Sequence, residues 1–181
     1  MGSASSSNRL PRGSRTPADG PAPAQRALLR RGLFGDGPAL ARLATQLGYP
    51  DFAQDNLRWL LGPPGAPDEE LLVLELAGAV VGFIHLRLWR TLLIGTVADI
   101  GGLVVDAQAR GGGHGRRLVE AGAEWARAHG AGVLQARSGS TRSAAHDFYA
   151  GLGFDLRKEQ LVFHLALNGG TARPGHAATT R

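Results

Sequence analysis

The chain of 181 residues contains no cysteine, one methionine and one lysine, Lys158. Without cysteine there is no disulfide framework, no thiolate metal site and no cysteine nucleophile. Long apolar runs are missing as well. Gly, Asp or Arg interrupts the apolar stretches every few residues, which excludes a transmembrane helix and a secretory apolar core and points to one cytoplasmic domain. The scarcity of lysine is not a scarcity of positive charge, because arginine supplies the rest and the formal net charge is +5. That excess lies outside residues 27–168, which hold fourteen basic and fourteen acidic residues. In the flanks Arg9, Arg12, Arg15, Arg26, Arg173 and Arg181 stand against Asp19 alone. A folded basic face for nucleic acid is therefore not expected, and any such binding would rest on the flanks. The histidines His85, His114, His129 and His164 show no metal-ligand spacing, so no metal is expected.

The flanks differ in texture from the centre. Residues 1–26 and 169–181 are rich in Ser, Gly, Pro and Ala with little to bury, and both read as disordered tails. MGS and LPRGS near the start resemble vector-derived sequence and carry no fold information. Between them, Ala27 to Phe34 reads as a strand, GDGP at 35–38 as a turn, and Leu40, Leu43 and Leu47 as one helix face. Asp51 is a candidate N-cap for a second helix carrying Phe52, Leu57, Leu60 and Leu61. Glu70 to Leu76 and Val80 to Leu88 flank Ala-Gly-Ala as a hairpin, and Val97 to Val105 reads as a buried strand. Gly101 and Gly102 inside that strand signal a bulge or a close approach. Further on come a helix from about Gly115 to Gly130, a strand at Val133 to Arg137, and a short helix at Ala144 to Gly151. Two last strands are expected at Phe154 to Leu156 and Gln160 to Leu167.

Gly111, Gly112, Gly113 and Gly115 lie between the Val97–Val105 strand and the helix that follows. A helix N-terminus offers unpaired N–H groups and the positive end of a dipole, and glycine lets phosphate oxygens reach main-chain amides. A phosphate site is the functional reading; a flexible connection is the plain one. The stretch lacks the Gly-Lys-Ser/Thr of a nucleotide P-loop. It also lacks the third glycine of a dinucleotide fingerprint, because Leu118 stands there.

Arg110-Gly111-Gly112-Gly113-His114-Gly115 has the form R/Q-x-x-G-x-G/A, after a strand ending LVVD and before RRLVEAGAEWARAHG. Downstream, Ala145, Tyr149, Gly153 and Phe154 fit A-x-x-x-Y-x-x-x-G-F. With the order of strand, two helices, hairpin and strand upstream, residues 27–167 resemble the GNAT family of N-acetyltransferases. The resemblance implies an α/β domain over 27–168 with a mixed, mostly antiparallel central sheet flanked by helices. Its fourth and fifth strands would splay into an acetyl-CoA cleft.

By the same resemblance, Leu103, Val104 and Val105 would pair with the pantetheine arm. Arg110, Gly111, Gly112, Gly113, His114 and Gly115 would wrap the pyrophosphate. Arg116 or Arg117 would add charge there, or stand solvated in the first turn. Tyr149 matches the general acid that protonates the departing thiolate; the alternative is a core aromatic beside Phe148. Asp99 is the candidate base for the amine, or else a strand-edge hydrogen-bonding group. Asp106 reads as a cap or turn former. Arg142 stands where many members have Asn, and His146 reads as a cofactor-side or packing residue; no G-x-S-x-G serine elbow accompanies it.

The expected activity is direct transfer of an acetyl group from acetyl-CoA to a primary amine, with no nucleic-acid or membrane partner. The alternatives are a catalytically silent CoA-binding sensor, another acyl-CoA, or a hydroxyl acceptor. Acceptor choice is expected around Gln46 to Leu61 and Arg87 to Thr96, where Tyr49, Trp59 and Trp89 with Asp51 and Asp55 suit an amine with some apolar body and equally suit a packed lid or a homodimer contact.

Overall fold

A computed structural model describes residues 27–51, 54–62, 68–163 and 165. The two flanks, Phe52 and most of the GPPGAP loop lie outside these residues. In chain order the elements are β1 (Leu28–Arg31), α1 (Gly37–Leu47), α2 (Gln54–Leu61), β2 (Glu69–Leu76) and β3 (Ala79–Thr91). They continue with β4 (Gly95–Val105), α3 (His114–Ala128), β5 (Val133–Ala136) and α4 (Ser143–Ala150). The strands form one sheet in the order β1-β2-β3-β4-β5. Every neighbouring pair is antiparallel except β4 and β5, which run parallel because α3 crosses between them.

Period-2 alternation along β3 sends Phe83 to one face and Ile84 and Leu86 to the other. The first face is closed by α1 and α2, where Leu40, Leu43 and Leu57 pack with Leu71, Val73 and Val104. The second is closed by α3, whose Leu118, Val119, Gly122 and Ala126 are its buried residues, as its 3.6-residue spacing requires. Glycine at 122 permits this close approach, since a Cβ there would stand 3.1 Å from both Ile84 and Leu86.

The first strand is shorter than Ala27 to Phe34, because the chain turns through a 3-10 helix at Phe34–Asp36. Arg30 donates to both oxygens of Asp36, and this pairing holds the Asp36 carboxyl below its ordinary pKa. The β3–β4 hairpin is longer than the sequence suggests and leaves Leu92, Leu93 and Ile94 exposed at its tip. Gly101 falls at a register shift opposite His85 and Leu86, the bulge that the paired glycines signalled.

The last two expected strands do not form among the described residues. From Phe154 to Phe163, and at Leu165, the chain is neither helix nor strand. Leu156, Leu161, Val162, Phe163 and Leu165 are between 79% and 89% exposed. Apolar alternation decides which face a strand would bury, but a strand also needs a neighbour to take its N–H and C=O groups. Here none does.

Candidate functional site

The glycine loop is built from its own backbone demands. Asp106 accepts the N–H of Gln108 and an ion pair from Arg42, which together hold its carboxyl below the ordinary range and start the turn. Arg110 then folds back, its Nε donating to the Val105 carbonyl at 3.0 Å. Gly111 and Gly113 have φ of +84° and +75°, a left-handed conformation that a side chain would strain. Gly113 is the N-cap of α3, and no side chain caps that end. The first amides of α3 and its positive dipole end thus face an exposed, bare-backbone turn.

Not every expected loop residue has the same role. A Cβ at Gly115 would lie 3.0 Å from the Phe148 ring, so this glycine lets α3 pack against α4. The Nδ1 of His114 is buried without a hydrogen-bond partner among the described residues. Arg116 donates to the Gly151 carbonyl at 3.3 Å and Arg117 to the Ala27 carbonyl at 3.0 Å, so both brace neighbouring segments. His146 Nε2 is 3.0 Å from the Gly139 carbonyl, which ties α4 to the loop after β5.

Strands β4 and β5 pair only from Val97↔Val133 to Ile100↔Ala136. Beyond that point Gly102 to Val105 still pair with β3, but their β5 side is open. A cleft results. It is lined by Leu47 at the end of α1 and Tyr49 beyond it, by Ile100 to Leu103 of β4, by Arg137 and Ser138 after β5, and by Arg142 and Tyr149 of the α4 region. Leu103, expected to pair with the pantetheine arm, is at this opening, with Val104 buried and Val105 half-buried beside it. The Ser138 hydroxyl is buried there with no hydrogen-bond partner among the described residues.

Tyr149 serves packing and cleft together. Its ring meets Phe148 and Phe154 at centroid distances of 5.3 and 5.2 Å, while it also lines the cleft. Burial raises the pKa of its phenol and the nearby Arg142 opposes that shift, so the group stays protonated at neutral pH.

Asp99 does not fit the expected role of base. Its side chain is fully buried, with Oδ2 receiving Arg137 Nη2 at 2.5 Å and Arg87 Nε at 3.1 Å, and Oδ1 receiving Gln135 Nε2 at 3.1 Å. Three donors occupy the carboxylate, so it anchors Arg137 at the cleft mouth. Asp99→Ala is expected to cost about 1.5–3 kcal/mol in a thermal melt, the range for hydrogen bonds to charged groups. The value stays below that of a wholly buried pair, because the two arginine side chains are 45% and 56% exposed and turn to water.

Sequence reasoning set His85 aside and did not pair it. In the structure His85 Nε2 lies 2.6 Å from Glu69 Oε2, and its ring covers Gly101. Arg137, Ser138 and the cleft-facing glycines were also missed as site residues. Period-2 alternation over Phe83, His85 and Arg87 was the available signal for one shared face.

A profile of the acetyltransferase (GNAT) family matches residues 39–154, from α1 through the end of the glycine-loop and α4 region. This chain belongs to the GNAT acetyltransferase family. No curated protein matches it in sequence. Among solved structures, this GNAT chain is similar to glucosamine-6-phosphate N-acetyltransferase from Arabidopsis thaliana, at 17% identity and a TM-score of 0.67 over 78% of this chain and all of that one. It is also similar to the aminoglycoside N-acetyltransferase AAC(6')-Iy in complex with CoA, at 18% identity and a TM-score of 0.69 over 80% and 98% of the two chains. A Trypanosoma brucei acetyltransferase matches at 23% identity and a TM-score of 0.64 over 77% of this chain and all of that one. At these identities the likeness is one of fold. Among the described residues no helix is long and apolar enough to cross a membrane.

Proposed function

We propose that this protein transfers an acetyl group from acetyl-CoA directly to a primary amine of a small molecule, and that it works in the cytoplasm. The observation that carries the reading is the conjunction of an uncapped, glycine-cradled helix end with the open side of β4. The residues fit the co-substrate. Amides of the Arg110–Gly115 turn suit a pyrophosphate, the unpaired side of Leu103 to Val105 suits an extended amide-bearing arm, and the orphaned Ser138 hydroxyl awaits a polar partner in the cleft. Bound there, acetyl-CoA supplies an activated acetyl thioester.

The chain's own residues do the rest. Tyr149 keeps its proton at neutral pH and gives it to the departing sulfur. Transfer is direct, because the chain has no cysteine and no described base partners the Ser138 hydroxyl to make it a nucleophile. The similar aminoglycoside N-acetyltransferase is in complex with CoA, which supports CoA chemistry for this fold.

Thermal denaturation with and without acetyl-CoA tests the binding half of this reading. At a hundredfold excess over the dissociation constant, linkage stabilises the fold by about 2.7 kcal/mol, a rise of a few degrees in the midpoint. No rise at millimolar acetyl-CoA would remove the proposal.

A further inference from the structure

An ammonium acceptor must lose a proton before its nitrogen can attack, and Asp99 is sealed under two arginines. Another group must take that proton. On the sheet face covered by α1 and α2, β2, β3 and β4 place Glu69, His85 and the bulge at Gly101 side by side. His85 Nε2 stands 2.6 Å from Glu69 Oε2, and both side chains are partly exposed, at 28% and 16%. A carboxylate oxygen accepts this hydrogen bond, so Nε2 is its donor, and in the neutral ring Nδ1 is then the nitrogen with the free lone pair. That nitrogen lies over Gly101, where a Cβ would stand only 2.8 Å away. Gly101 is itself part of the cleft wall. The bare backbone thus leaves room for the imidazole against the cleft wall that Gly101 forms.

We infer that His85, oriented by Glu69 over the bare backbone of Gly101, is the base that takes the proton from the acceptor amine. The inference rests on the acetyltransferase reading above. The Nδ1 lone pair removes one proton from the ammonium and later gives it to solvent. The freed nitrogen forms the N–C bond to the acetyl carbon while the C–S bond breaks and its electron pair goes to sulfur. Tyr149 protonates that sulfur, and the second proton leaving nitrogen balances the one that Tyr149 recovers from solvent. Net, one proton is released. The charged groups beside it on this face are Arg87, two residues along β3 and opposite Glu69, and Asp99 of β4, which holds both Arg87 and Arg137. Arg30 of β1 pairs with Asp36 and Glu75. Glu69 is therefore the hydrogen-bond partner that orients the imidazole.

The test compares wild type, His85→Ala and His85→Gln with the amine that gives the fastest CoA-thiol release from a panel of polyamines, amino acids and amino sugars. Each variant is expected to lose about 10²-fold or more in kcat, the range for general base catalysis, while its acetyl-CoA-dependent rise in melting midpoint is unchanged. Added imidazole should restore part of the His85→Ala rate but not increase that of wild type, a response that a packing role would not produce. Glu69→Gln should lower kcat by a smaller factor. If either His85 variant turns over within twofold of wild type, or loses its acetyl-CoA response together with its activity, the inference is overturned and the acetyltransferase reading stands. If wild type acetylates no amine, both fall.

Discussion

Gly113→Val is expected to abolish the acetyl-CoA-dependent rise in melting midpoint. Residue 113 has φ of +75° and forms the uncapped end of α3, so a β-branched side chain meets both backbone strain and the space where phosphate oxygens approach. Open space surrounds a Cβ at this position, so the fold's own packing does not object. The strain costs about 1–3 kcal/mol, but the ligand term should be lost altogether. Gly115→Val is the contrast. Its side chain would strike Phe148, so it should lower the midpoint even without ligand. Melts of the three proteins with and without acetyl-CoA separate the two roles. A folded Gly113→Val variant with a normal ligand response would reduce the glycine loop to a turn.

Tyr149→Phe is expected to lower kcat by about 10² or more with little change in acetyl-CoA affinity. The phenol sits between Phe148 and Phe154 with its edge on the cleft, and Phe keeps those ring contacts. Stability should therefore stay within about 1 kcal/mol of wild type. Burial disfavours the phenolate, so the wild-type rate should not fall through loss of this proton until the pH exceeds the ordinary tyrosine value of 10.0. Steady-state rates and melts on one preparation decide between an acid and a core aromatic. A variant as fast as wild type would leave water as the proton source.

What could be seen in the sequence was whatever short-range spacing controls. The face of α3 through Leu118, Val119, Gly122 and Ala126 follows from helical period, and the bulge at Gly101 from two adjacent glycines in an apolar run. The glycine turn before α3 and the place of Tyr149 on the short helix α4 were legible because their signatures are local. Partners across the sheet were not. His85 meets Glu69 and Gly101 only through the registers of β2, β3 and β4, which no local pattern specifies. The sequence leaves Asp99 between a base and a strand-edge hydrogen-bonding group, because Arg87, Gln135 and Arg137 reach it from two neighbouring strands and the chain after β5. The strands expected after Phe154 had the right alternation, but among the described residues they pair with no neighbour. Periodicity gives the face of an element and cannot supply its neighbour.

Amine-dependent release of CoA thiol tests acetyl transfer most directly. The protein has no cysteine, so it adds no thiol background of its own. With acetyl-CoA saturating, at least one amine of the panel should give thiol release above the rate without amine, together with an equal amount of N-acetylated product. A protein whose midpoint rises with acetyl-CoA yet releases no thiol with any amine would be a CoA-binding sensor, and the account of catalysis given for Tyr149 and His85 would be contradicted.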